Sequence, residues 1–136
     1  MFTSKPIFDK EEQKALCARL GAEYRPGDLA YRVEIEGKEA GIVTLFIDGT
    51  KGCLRQIAFY PDMEDFEVMF ICGRAAMEFL DRVGAHDGYF VSPDPKNERL
   101  TKALGYKKQS DGRWYLDTTG FFEEHCKNHP EGEKQA

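Results

Sequence analysis

"CLRQIAFYPDMEDFEVMFICGRAAMEFL", Cys53 to Leu80, is the stretch whose reading decides the fold. Its opening, "CLRQIAFYP", is an apolar extended run whose phase changes midway: Leu54 and Gln56 share one face of a regular strand, whereas Ile57 and Phe59 fall on the other. Side chains alternate along a strand, so one inserted bulge residue produces that change; a strand buried on both faces would give the same letters. From Asp62 to Val83, residues Phe66, Met69, Phe70, Gly73, Ala76, Met77 and Leu80 recur at steps of three and four. That spacing predicts a helix with a continuous apolar stripe, starting as early as Asp62.

Upstream, "DKEEQKALCARLG" (9–21) begins with an Asp suited to capping, places Ala15, Leu16 and Leu20 at helical spacing, and ends at Gly21. It reads as an amphipathic helix. After the turn-forming "RPGD", Tyr31, Val33 and Ile35 alternate with Arg32, Glu34 and Glu36. The chain turns at "EGKE" and continues as "GIVTLFI", apolar on both faces, which predicts a hairpin whose second strand lies inside a sheet.

Downstream, "HDGYFVSP" reads as a short strand and "DPKNERLTKALG" as a helix of about two to three turns, with Pro near its start and Gly after its last apolar residue. "YKKQSDGRWYLD" is a second hairpin turning at "SDG". A last short helix is expected from about Phe121 to Asn128, stopped by Pro130. The order predicts an α/β (α+β) domain over 1–129 with a mainly antiparallel mixed sheet, followed by a solvated tail over 130–136.

With 136 residues, 41% of them hydrophobic, the chain is long enough for one sizeable core, and no apolar run approaches the about 20 residues of a membrane span. Its net charge of −5, with both signs interspersed, provides no extended positive field, so neither nucleic acid nor membrane is an expected partner. The amino-terminal "MFTSKPIFDKEEQK" has no apolar core of signal-peptide length, and Cys17, Cys53, Cys72 and Cys126 are widely spaced. Both features lead us to expect a cytoplasmic protein with reduced thiols.

From about Ala30 to Leu116 the chain resembles the GNAT superfamily of acyl-CoA-dependent N-acyltransferases. "IAFYP" is similar to the family's bulged central strand, "CGRAAMEFL" to the opening of its main helix, and "NERLTKALGYKK" to the segment in which Asn begins the short helix and Leu-Gly-aromatic ends it. The resemblance implies a splayed central strand with helices on both faces, and acetyl-CoA or another acyl-CoA as donor, with no metal. The acceptor it implies is an amine, on a small molecule or a protein. It further implies that the strand backbone of Ala58, Phe59 and Tyr60 orients the thioester, and that amides of Cys72, Gly73, Arg74 and Ala75 hold the pyrophosphate, with Asn97 at the cofactor. A free helix start with glycines suits an anion, because unsatisfied amides and the helix dipole point at it.

Of the family's Arg/Gln-x-x-Gly-x-Gly/Ala pattern, only Gly73 and the following Arg74 are kept, and Asp62, Glu64, Asp65 and Glu67 crowd the region before them. Acids favour a helix start and therefore compete with an anionic ligand. The rival to an enzyme is accordingly a non-catalytic interaction or regulatory module that has lost cofactor binding.

Each residue also has a plainer role. Gly73 suits close packing, Arg74 a solvated helix face, and Asn97 a helix cap. The position of the family's Glu base falls on Cys53 and that of its Tyr acid on Thr101, so no catalytic residue is assigned. Cys53 and Cys72 have no neighbouring His and read as buried thiols. His125 and His129 share a helix face, but two ligands make an incomplete metal site, and a surface helix carrying His125, Cys126 and His129 is the better reading. By charge alone, Glu34 and Glu36 on the first hairpin would attract a cationic acceptor.

Overall fold

A computed structural model describes residues 1–123. The first hairpin joins β2 (Leu29–Ile35) to β3 (Lys38–Asp48) through Glu36 and Gly37. Their φ values of 51° and 79° are the left-handed pair that a two-residue turn requires, and Gly37 adopts this without strain. β4 (Lys51–Phe59) returns antiparallel to β3, β5 (Asp87–Phe90) pairs parallel with β4, and β7 (Trp114–Asp117) inserts between β5 and β6 (Lys107–Lys108). The sheet order is β1-β2-β3-β4-β5-β7-β6, mixed and mainly antiparallel.

The outermost strand, β1 (Phe2–Pro6), was not legible in the sequence. "FTSKP" shows no apolar alternation, because four of its five residues are exposed at the sheet edge, Phe2 alone packs against the core, and the strand is held by backbone pairing with β2.

Helices cover both faces. α1 (Lys10–Leu20) starts on Asp9, whose side chain accepts from the Glu11 amide, and ends on Gly21 at φ 68°. It buries Leu16 and Cys17 against Ile7, Ala30 and Ile42. On the other face α2 (Phe66–Arg82) and α3 (Glu98–Leu104) enclose the main core, which includes Val43, Leu45, Leu54, Ile57, Met77 and Leu104. Each such side chain contributes about 1.5–3 kcal/mol when fully buried, so this face carries most of the apolar stabilisation.

The bulge is present, one step earlier than the sequence phase suggested. Thr44 pairs with Gln56 and Leu45 with Leu54, which leaves Arg55 as the extra residue of β4. Leu54 and Gln56 therefore lie on opposite faces: Leu54, Ile57 and Phe59 join the α2 side, while Gln56 bonds Thr44 on the α1 side.

The helix begins later than Asp62. Pro61–Met63 form a 3₁₀ turn, Glu64 and Asp65 are extended, and α2 starts at Phe66 because the Asp65 side chain caps it, accepting from the Val68 amide at 3.1 Å. The expected final helix, with His125, Cys126 and His129, and the 129/130 boundary lie wholly or partly outside the described residues.

Candidate active site

β4 and β5 part company at the bulge. Their last sheet contacts are Val91 N–H to the Leu54 carbonyl at 2.8 Å and Ser92 N–H to the Arg55 carbonyl at 2.9 Å. Two successive carbonyls of β4 facing the same neighbour is what a bulge produces. Beyond it β4 runs on to Phe59, and among the described residues no strand pairs with it on that side.

At its far end the Tyr60 amide donates to the Ala40 carbonyl of β3 at 3.0 Å. Alternation then turns the Ala58 amide toward β3 and the Ile57 and Phe59 amides toward the side that β5 has left. Of the three residues expected to orient a thioester, Phe59 alone presents its amide there. Ile57, which sequence reasoning passed over, presents the second. Tyr60 is engaged elsewhere, its hydroxyl donating to Glu39, a carboxylate that also receives Arg19 through two bonds of 2.9 Å and Arg32 at 2.7 Å. These donors, Arg19 foremost, hold the Glu39 carboxyl down to about 2.

The arginine of the bulge is not free. Arg55 forms a two-bond ion pair with Asp28 at 2.5 and 3.1 Å, beneath the ring of Phe46, whose centroid lies 4.4 Å from the guanidinium carbon. Gln56 beside it pins the loop after α1, exchanging bonds with the Glu23 amide at 3.0 Å and the Glu23 carbonyl at 2.7 Å.

Next to the parting strands lies a cavity of about 380 Å³. Phe46, Cys53, Tyr89, Val91 and Trp114 line it, with Asp48 as the one carboxylate among its lining residues and Lys51 and Arg113 as cations. Arg113 lies over the Tyr89 ring at 4.8 Å. Cys53 occupies the place where a carboxylate base was sought, and burial pushes its thiol up.

The residues expected to form a pyrophosphate turn do not form a turn. Cys72, Gly73, Arg74 and Ala75 stand in the interior of α2, where their amides belong to the helix ladder, so the assignment of a phosphate to them is corrected. Gly73 is a packing glycine: a Cβ there would meet Leu104 Cδ2 at 2.9 Å and Ile57 Cδ1 at 3.1 Å. Arg74 faces the end of α3 and donates through Nε to the Leu104 carbonyl at 3.1 Å, with its guanidinium against the rings of Phe70 and Phe121. A cation at a helix carboxyl end is favourable, and this one closes α3 instead of reaching a ligand. Cys72 is buried, its thiol pushed up to about 11.

Asn97 stands at the start of α3 with no capping bond from its side chain. Glu36, one of the two acids expected to attract an acceptor, meets the amino-terminal ammonium at 2.5 Å on the far edge of the sheet.

No protein-family model and no curated protein matches the chain. Solved structures do. The chain is similar to the ribosomal-protein-S18-alanine N-acetyltransferase of Escherichia coli at 16% identity and a TM-score of 0.60, over 85% of this chain and 89% of that one. It is similar to a GNAT-family acetyltransferase of Streptococcus pneumoniae at 15% and 0.64, over 82% and 91%. A Bacillus subtilis acetyltransferase in complex with CoA gives 14% and 0.60, over 80% and 77%. The chain has the GNAT fold, in a divergent sequence.

Among the described residues no group of three or more His, Cys, Asp or Glu side chains is placed to hold a metal, and no helix is long and apolar enough to cross a membrane.

Proposed function

We propose that this protein is an N-acyltransferase that takes an acyl thioester at the free side of β4 and an amine in the cavity beside it. The observation that carries this reading is the parting of β4 from β5 at Arg55, which leaves two strand amides directed at one opening next to a cavity of about 380 Å³. A CoA-type donor supplies the activated carbonyl.

The residues present fit one half of such a donor. The Ile57 and Phe59 amides suit the amide and carbonyl groups of an acyl-pantetheine arm, which would add to β4 as a missing strand would. The start of α2 does not fit the phosphate half.

On the acceptor side Asp48 can accept a hydrogen bond from the amine, Arg113 of the same lining being paired with Asp111 at 2.9 Å, and the aromatic lining of Phe46, Tyr89 and Trp114 suits an apolar body attached to it. With Cys53 where a base would stand, acceleration rests on holding the amine nitrogen against the carbonyl, and deprotonation falls to water. Transfer forms the C–N bond, breaks the C–S bond and releases the thiol. The buried free thiols Cys17, Cys53 and Cys72 favour a cytoplasmic setting.

The test is thiol release from acetyl-CoA and acetyl-pantetheine across a panel of primary amines, with donor binding followed by calorimetry. Amine-dependent thiol release is expected. Absence of binding by both donors at millimolar concentration overturns the reading.

That result would establish the second reading, a non-catalytic module on the GNAT fold. The Asp65 cap on α2 favours it, since a carboxylate of the chain itself occupies the helix start where an anionic ligand would be held.

A further inference from the structure

Resting on the acyltransferase reading, we propose that the donor is recognised through its acyl-pantetheine arm alone, the 3′-phosphorylated ADP half of coenzyme A adding nothing favourable to affinity. The substrate class is thus an acyl-pantetheine thioester, whatever its arm is attached to.

Three independent features of the chain point the same way. The first is the use of amides. At the start of α2 the Val68 amide donates to the Asp65 side chain at 3.1 Å, so a carboxylate of the chain itself takes up one of the first-turn amides that would cradle a diphosphate.

The second is charge. Asp62, Glu64, Asp65 and Glu67 are all exposed at this helix start, and none takes part in an ion pair among the described residues. Four unneutralised carboxylates repel a polyphosphate over about 10 Å at 0.1 M salt, and added salt relieves that repulsion.

The third is the disposition of nearby cations. Arg74 is directed into the carboxyl end of α3, Arg99 lies over the Phe66 ring at 4.0 Å, and Lys102 pairs with Glu98 at 3.0 Å. Arg99 on Phe66 also ties α3 to the first residue of α2, across the approach to that turn.

Opposite these features, the β4 edge that would hold the arm consists of backbone amides without charge. Binding there is insensitive to salt.

The experiment compares dissociation constants of coenzyme A, pantetheine and adenosine 3′,5′-bisphosphate for the intact chain at 20 and 300 mM NaCl. Coenzyme A and pantetheine are expected to agree within about threefold at 300 mM. At 20 mM coenzyme A is expected to bind more weakly than pantetheine, an inversion of the usual salt effect on a phosphate ligand, and the bisphosphate is expected not to compete with either. In the double variant Asp62→Asn, Glu64→Gln, which leaves the Asp65 cap in place, coenzyme A binding at 20 mM should tighten while pantetheine binding stays the same.

Coenzyme A binding tenfold or more tighter than pantetheine, or displacement of coenzyme A by the bisphosphate, overturns the proposal and leaves the acyltransferase reading standing. Failure of both coenzyme A and pantetheine to bind overturns the acyltransferase reading itself, and this proposal with it.

Discussion

Arg55, the extra residue of the β4 bulge, is held by Asp28 through two hydrogen bonds, with the two side chains 8% and 3% exposed. The pair joins the bulge to the loop that precedes β2. Lys10 adds a bond to the Asp28 carbonyl at 2.6 Å, so the start of α1 converges on the same point. The ion pair thereby fixes the place where the sheet opens.

Removing one partner leaves the other charge buried and unmatched. Arg55→Ala and Asp28→Ala are each expected to cost about 3–5 kcal/mol in urea unfolding, whereas the joint replacement Arg55→Met, Asp28→Leu should cost less than the sum. Additive losses would show that the two charges are not coupled.

Gly73 separates a packing role from an anion-binding one. Alanine in a helix gains about 1 kcal/mol over glycine by propensity, but here even a Cβ enters the space of Leu104 and Ile57. Gly73→Val is expected to lose about 1–3 kcal/mol of stability through overpacking, with pantetheine affinity of the folded protein changed less than twofold. Intact stability with lost ligand affinity would reverse the assignment.

The Glu39 carboxyl is depressed from 4.5 to about 2 by Arg19 first, with Tyr60 and Arg32. The unfolded chain binds the proton more readily, so this contribution is fully present above about pH 4.5 and disappears as pH falls toward 2. Glu39→Gln should therefore be less stable than the parent at pH 7 and approach it at pH 2.5, as read by urea midpoints. A gap that widens on acidification would contradict the network.

Asp65→Ala should lower stability by about 0.5–2 kcal/mol through loss of the α2 cap, and Asp65→Ser should restore most of it. Because Ser removes the charge and keeps the acceptor, the pair of variants separates capping from charge in thermal unfolding.

Cys17, Cys53 and Cys72 are buried, and desolvation raises all three thiols. In the native protein at pH 7.5 these positions should resist iodoacetamide and become modified only on unfolding, with mass spectrometry identifying each site. Rapid native labelling at Cys53 would show that the cavity beside it opens further.

Local pattern made most of the scaffold legible. The Asp9 and Gly21 caps, the Glu36-Gly37 turn, the apolar stripe from Phe66 to Leu80 and the Ser110-Asp111-Gly112 turn each act within a few residues, so the elements could be placed from sequence alone. The phase change in "CLRQIAFYP" was compatible with a bulge or with a strand buried on both faces, and β4 has both features. The phase misplaced the extra residue, because Arg55 is buried only by virtue of Asp28, twenty-seven positions away.

Sequence by itself determined the order of elements after β1, since hydrophobic period and turn chemistry are local, and left the break in the central strand as one of two readings that the register of β3 on β4 decided. Tertiary structure alone decided what "ICGRAAMEFL" does. A Gly-Arg pair is compatible with a phosphate turn or with a helix interior, and the choice was made by Leu104 seated on Gly73, the α3 carbonyls that receive Arg74, and the Asp65 carboxylate that starts the helix six residues before Ile71. Contacts with α3 distant in the chain, and a cap upstream of the motif, turned an apparent anion site into packed helix.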